Sequence, residues 1–299
     1  MKLRAWVDAV RLKFLPQGVL PVLLGSAVAW HAKGVFNPFN FSLAFIGMAL
    51  VQFALTMLND ALDFLYGTDA SGSGKKNPYS GGSGVLVDGV ITPREMLTTV
   101  LLFYVIALGI GIYLTLTVGS TLIYIILAGL FISVFYSAKP FRFAYRGIGE
   151  LAMLIGYGPV ITLGAYFVQT GEVALEPAIA GLVPGMLMWA MIVVNEIPDY
   201  EEDKRARKMN LVVRVGRERG KDVFILSLAV TYLFIAASVA AGFFPAQALL
   251  AFLSIPFAYA SASYLRRYYR DKIKVAAANE AMVKVYSSTM ILLTVGFLI

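Results

Sequence analysis

The stretch Leu43–Asp63 reads LAFIGMALVQFALTMLNDALD. It begins as an apolar run of the length a bilayer crossing needs, about 20 residues. It closes on Asn59, Asp60 and Asp63, at the base of the run, where unpaired polar groups are expensive. Runs of the same kind recur along the chain. With this one they lie at about 14–32, 40–58, 97–118, 120–138, 148–168, 176–197, 222–242, 244–265 and 281–299. They predict an all-α membrane protein with nine transmembrane helices. Segments of about 10 residues with alternating polarity, the mark of an outer-membrane barrel, are missing from the sequence.

Composition agrees. Of 299 residues 59% are hydrophobic and 14% charged, against about 25% charged in an average soluble domain. Mean hydropathy is +0.75. These values exclude a soluble single-core enzyme and a disordered chain. The sequence has no cysteine and one histidine, so thiolate chemistry is excluded and His-based metal sites nearly so. The start of the chain, with basic residues, an apolar run and Ala27-Val28-Ala29, has the look of a signal peptide. Pro16, Pro21 and the length of the run favour a retained helix.

The formal charge of +7 is sorted by the spans. Lys2, Arg4, Arg11 and Lys13, and the basic residues of the loops after spans two, four, six and eight, fall on one side together with Lys284. Of all Lys and Arg only Lys33 falls on the other. Positive charge in short loops stays cytoplasmic, which puts the N-terminus in the cytoplasm and the protein in the cell membrane. All Asp and Glu except Glu172 and Glu176 follow the same sorting. Acids contribute little to topology, so their placement asks for a chemical reason.

Two acidic clusters supply candidates. Asn59-Asp60-Ala61-Leu62-Asp63, with Asp69 further on, ends span two, and Asn195-Glu196-Ile197-Pro198-Asp199 through Asp203 ends span six. Asn59 and Asp63, and Asn195, Asp199 and Asp203, recur every four residues and share helix faces. One reading is solvated helix ends. However, carboxylates at helix C-termini oppose the helix dipole, and clustered carboxylates repel unless a cation intervenes. The other reading is an oxygen-only site for Mg²⁺, which binds through one or two carboxylates and substrate phosphates. Asp60, Asp63, Asp69, Asp199 and Asp203 are the candidate ligands. The matching positions hint at a duplicated four-helix unit, about 1–140 and 141–265, followed by a ninth helix within a single domain 1–299.

Other groups on that side are open to two readings each. The Gly/Ser-rich segment 70–84 with Lys75 and Lys76 is a flexible linker or a lid over phosphate. Lys139, in Tyr136-Ser137-Ala138-Lys139-Pro140, neutralises a leaving diphosphate or snorkels to the interface. Arg11 and Lys13 pose the same choice. The basic run Lys204–Lys221 is expected to serve chiefly headgroup anchoring and topology.

With these motifs the sequence resembles the UbiA superfamily of intramembrane aromatic prenyltransferases, in particular its menaquinone branch and the animal vitamin K relatives. The resemblance is carried by Asn59-Asp60-x2-Asp63-x3-Gly67-x-Asp69, Ser83-Gly84-x3-Asp88-Gly89, Tyr145-Arg146-Gly147-x-Gly149-Glu150 with Gly158-Pro159, and Asp199-x3-Asp203 followed by Leu211-x2-Arg214-x-Gly216. It departs from the family pattern at Gly67, where an Asp is general, at Glu196, and in the spacing of Tyr136 and Lys139. The resemblance implies a bundle around a central cavity open to the cytoplasm. It implies Mg²⁺ on the Asp ligands gripping an isoprenyl diphosphate, with Asn59, Asn195, Arg11, Lys13, Lys75 and Arg146 on the substrates and Tyr136 and Lys139 catalytic. The implied acceptor is 1,4-dihydroxy-2-naphthoate; a glycerol-phosphate ether lipid or 4-hydroxybenzoate is the alternative. Membrane lipid is the expected partner and nucleic acid is not. A cation-coupled transporter is the reading from another class; its site belongs near the midplane, whereas these acids lie at the edge.

Overall fold

In a computed structural model, described for residues 2–68 and 77–299, the chain is a helical bundle with no strand among those residues. The helices are α1 (Lys2–Val10), α2 (Leu15–Lys33), α3 (Pro38–Leu65), α4 (Pro93–Val118), α5 (Leu122–Phe135), α6 (Phe143–Arg146), α7 (Gly149–Ile155), α8 (Ile161–Thr170), α9 (Leu175–Arg205), α10 (Leu211–Val215), α11 (Arg217–Ala240), α12 (Ile255–Tyr268) and α13 (Ala276–Leu298). A π-helical turn, Gly156–Val160, joins α7 to α8, and a 3-10 segment, Ala246–Ser254, leads into α12. Counting these joined segments as one, and α1 with α2, eight helices among the described residues are long and apolar enough to cross a membrane.

The fourth expected span, 120–138, differs. α5 has 14 residues, about 21 Å at 1.5 Å per residue, short of a hydrocarbon core of about 30 Å. Its helical bonding continues from Tyr136 N–H to Ile132 C=O and from Ala138 N–H to Val134 C=O, and Pro140, which has no N–H to give, follows.

Local chemistry sets the helix starts. Asn37 accepts from the N–H groups of Phe39 and Asn40 at the head of α3, with Pro38 in the first turn. Thr92 and Glu95 form a reciprocal capping box at the head of α4, with Pro93 in the first turn, which satisfies otherwise orphaned donors. Lys33 pairs with Glu172 at 2.8 Å, joining the two loops that the charge sorting assigned to the side opposite the acidic motifs.

Leu101, Leu116, Tyr124 and Leu233 point outward, exposed, the expected condition of side chains whose solvent is lipid. Inside, small residues let backbones touch. A Cβ on Gly158 in the π turn would come within 2.4 Å of the Gly181 carbonyl of α9, and one on Gly25 of α2 within 2.3 Å of the Thr162 carbonyl of α8. These contacts draw α2, α8 and α9 together around one large buried cluster that includes Leu24, Tyr166, Leu187 and Met191.

Candidate active site

The two acidic motifs end α3 and α9 at the same end of the bundle and face one cavity. Asp63, Asn59, Asn195, Glu196, Asp199 and Asp203 all line it, with Arg11 and Tyr136. Each carboxylate is held by a dedicated donor. Tyr145 of α6 donates its hydroxyl to Asp63 Oδ1 at 2.5 Å. Asn59 donates to Asp63 Oδ2 at 3.4 Å and accepts from Ser137 Oγ at 2.6 Å. Asn210, which also caps α10, donates to Asp203 Oδ2 at 2.7 Å. The Gly81 N–H of the loop after α3 reaches Asp199 Oδ2 at 2.9 Å.

Lys208 is an exception to the reading of the run Lys204–Lys221 as chiefly lipid anchoring and topology. Past the end of α9 the chain takes a left-handed turn at Arg207 (φ 56), and the Lys208 N–H bonds back to the Asp203 carbonyl at 2.8 Å. This turn sends the Lys208 side chain inward, 15% exposed, where Nζ lies 3.0 Å from Asp63 Oδ2 and 3.9 Å from Asp203 Oδ1. The ammonium thus bridges the two acidic motifs. Burial works to lower the Lys208 pKa, but Asp203 and Asp63 more than offset it and hold the pKa well above its ordinary value. Burial, and then the Asp63 carboxylate, likewise hold the Tyr145 phenol above its usual range, so it stays a donor.

Other candidates fall elsewhere. Asp60, 3% exposed, is not part of the cavity wall; it accepts from the backbone N–H and hydroxyl of Ser83 and so pins the loop after α3. Lys139 is exposed, with Nζ 5.9 Å from the centre of the Tyr66 ring. Arg146, also exposed, donates to the Pro140 carbonyl at 2.9 Å. Lys13 donates to the Pro78 carbonyl and lies 4.6 Å over the Tyr79 ring. Asp69, Lys75 and the 70–76 part of the glycine-rich segment lie outside the described residues. Its remainder does cover the cavity: Asn77, Tyr79, Ser80, Gly81 and Gly82 form part of the wall. Asn77 donates to Asn279 of α13 at 3.2 Å, and Asn279 donates to Asn195 at 2.8 Å. Asn279, Asn210 and Lys208 carry no motif signal beyond their residue type, and sequence reasoning missed them.

The donor set fits a hard divalent cation. Among the described residues no three acidic or imidazole groups form a ready-made cage. The wall nevertheless carries five carboxylates, Asp63, Glu196, Asp199, Glu202 and Asp203, against the cations Arg11, Lys208 and Lys272. All its ligating atoms are oxygens, which suits Mg²⁺. A lone ammonium already sits between the motifs, where positive charge is wanted.

Further along the bundle, an apolar chamber lies between α2, α3, α4, α5 and the α7–α8 unit. It shares Gln52, Leu55, Met153 and Tyr157 with the polar cavity. Tyr157, on the π turn, donates to Gln52 Oε1 at 2.6 Å and marks the junction.

A polar, acid-lined cavity that shares four wall residues with an adjoining apolar chamber, set among membrane-length helices, marks an integral membrane enzyme. The chain belongs to the UbiA prenyltransferase family, which matches residues 18–285, and it is a prenyltransferase. It is 28% identical over 242 residues to the 1,4-dihydroxy-2-naphthoate octaprenyltransferase of Bacillus subtilis (strain 168), covering 81% of this chain and 76% of that one. It is 24% identical over 296 residues to the 2-carboxy-1,4-naphthoquinone phytyltransferase of Synechocystis, covering 98% and 93%. Its fold matches a UbiA homologue from Archaeoglobus fulgidus solved with DMAPP and Mg²⁺, with a TM-score of 0.67, 16% identity and 97% and 99% coverage.

Proposed function

We propose that this protein transfers a polyprenyl group from an isoprenyl diphosphate to 1,4-dihydroxy-2-naphthoate, with Mg²⁺ held between its two acidic motifs. The observation that carries this reading is that Asp63, Asp199 and Asp203 line a single cavity that shares wall residues with an apolar chamber. A diphosphate needs cations at the mouth and its tail needs hydrocarbon behind; the tail would leave between helices into lipid. The relatives named above support the naphthoate acceptor. The end that bears the motifs also carries the basic residues, which by the positive-inside rule makes it cytoplasmic.

Asp63, Asp199 and Asp203 would hold the metal, oriented by Tyr145, the Gly81 N–H and Asn210. Bound there, Mg²⁺ supplies Lewis-acid stabilisation of the leaving diphosphate. Lys208, whose ammonium lies between Asp63 and Asp203, would donate to a departing phosphate oxygen. We assign it the role that the sequence offered to Lys139. As the allylic C–O bond breaks, the ring carbon that bears the carboxylate attacks the prenyl cation, and the carboxylate leaves as CO₂. Leu55 and Met153, at the junction, keep water from the cation.

The test is a transfer assay with purified protein, labelled polyprenyl diphosphate, Mg²⁺ and a panel of acceptors: dihydroxynaphthoate, 4-hydroxybenzoate and a glycerol-phosphate ether lipid. Dihydroxynaphthoate is expected to be prenylated, and EDTA, Asp63→Ala or Asp199→Ala to abolish transfer. Undiminished activity in those variants overturns the metal assignment. Preference for the ether lipid overturns the acceptor.

A further inference from the structure

Gln17, in the first turn of α2, is 1% exposed and lines the cavity. Neither its Nε2 nor its Oε1 has a hydrogen-bond partner among the described residues. Buried side-chain amides are seldom left so, and each such case asks for an explanation. The other carboxamides of this cavity are engaged. Gln52 accepts from Tyr157 and donates to Thr56 at 3.2 Å, Asn59 is held by Ser137 and Asp63, and Asn77 and Asn195 are held by Asn279. Gln17 is also fixed in place. Its carbonyl accepts from Tyr286 at 2.9 Å, and a Cβ on the adjacent Gly18 would come within 2.9 Å of Gln52 Oε1, so α2 presses on α3 there.

Position says what the free amide meets. Gln52 lies seven residues along α3 from Asn59, about 10 Å, so Gln17 sits below the carboxylates at the mouth of the apolar chamber. An allylic diphosphate gripped by the acids places its first carbon, and the ring that attacks it, at this level. A carboxamide presents one N–H and one C=O side by side. Its complement is an acceptor and a donor side by side, as a carboxylate and a hydroxyl on neighbouring ring carbons provide. Being neutral, the amide reads that pattern without adding charge beside the cation.

We propose that Gln17 is the specificity-determining residue for the aromatic acceptor, donating from Nε2 to its carboxylate and accepting at Oε1 from the adjacent hydroxyl. This rests on the aromatic-acceptor reading above. The test uses the full-length enzyme with Mg²⁺ and measures KM for dihydroxynaphthoate, KM for the polyprenyl diphosphate, and inhibition constants for 1-hydroxy-2-naphthoate and 1-naphthol. In Gln17→Leu, and in the unbranched Gln17→Met should the first fold poorly, the dihydroxynaphthoate KM and the 1-hydroxy-2-naphthoate constant are expected to rise about tenfold or more. The 1-naphthol constant and the diphosphate KM should stay put. Tm should hold or rise, because the amide has no partner to lose in the free protein. A falling Tm with unchanged acceptor constants makes Gln17 structural and overturns the proposal. Equal weakening of both naphthols overturns it too. Wild-type enzyme that prenylates no aromatic acceptor refutes the underlying reading itself, a result separable from the other two.

Discussion

Lys208 joins the two acidic motifs through one ammonium group, and its loss is informative in two ways. In Lys208→Met, Asp63 and Asp203 keep Tyr145 and Asn210 as donors but lose the cation between them. Removing one partner of a buried ion pair is destabilising; on this hydrated cavity wall the loss should be about 1–3 kcal/mol, less than a dry pair would lose. If the carboxylates are the metal site, Mg²⁺ replaces the missing charge. Millimolar MgCl₂ should then raise the Tm of Lys208→Met by more than that of wild type. Activity should still fall by about 10²-fold or more, because the donor to the leaving group is gone. Equal Tm shifts in the two proteins would separate Lys208 from the metal site.

At the scale of elements, close packing at glycine is the testable feature. Gly158→Ala puts a methyl group against the backbone of α9 at Gly181 and Gly185, where nothing flexible can give way, and should cost about 1–3 kcal/mol or more. Gly109 of α4 meets nothing within 4 Å, so Gly109→Ala should be neutral or stabilising by about 0.5–1 kcal/mol. Thermal unfolding of both variants in detergent checks the contrast. The same scale divides what the sequence could tell from what it could not. Membrane-length apolar runs announce themselves, and the spacing of Asn59 and Asp63 on α3 put them on one face, as found. Asp60 shares that face by spacing, but Ser83 on the following loop claims it. Lys208 was invisible within a basic run because its direction depends on the turn at Arg207, a tertiary outcome with no local signature. Asn279 and Asn77 meet across 202 positions of chain, which no window along one sequence can detect.

At the scale of the whole molecule, the polar cavity and the apolar chamber adjoin, sharing Gln52, Leu55, Met153 and Tyr157. If the chamber receives the prenyl tail, narrowing it should discriminate substrates by length and leave the head-group chemistry alone. Gly47 of α3 lines the chamber, about 24 Å along the helix from Asp63, and a Cβ there meets only Ile110 at an ordinary 3.5 Å. Gly47→Leu therefore has room to fold, with its side chain projecting into space the tail would use. Each methylene displaced from a hydrophobic site is worth about 0.8 kcal/mol, so excluding even two or three isoprene units forfeits enough binding to be plain in kinetics. The expected result is a fall of about tenfold or more in kcat/KM for a long polyprenyl diphosphate, with geranyl diphosphate, too short to reach the obstruction, used as by wild type. The ratio of the two specificity constants, measured with one acceptor in one membrane preparation, cancels errors in active-site concentration. An unchanged ratio would mean that the tail takes another route out of the bundle, and the chamber would then need a different occupant.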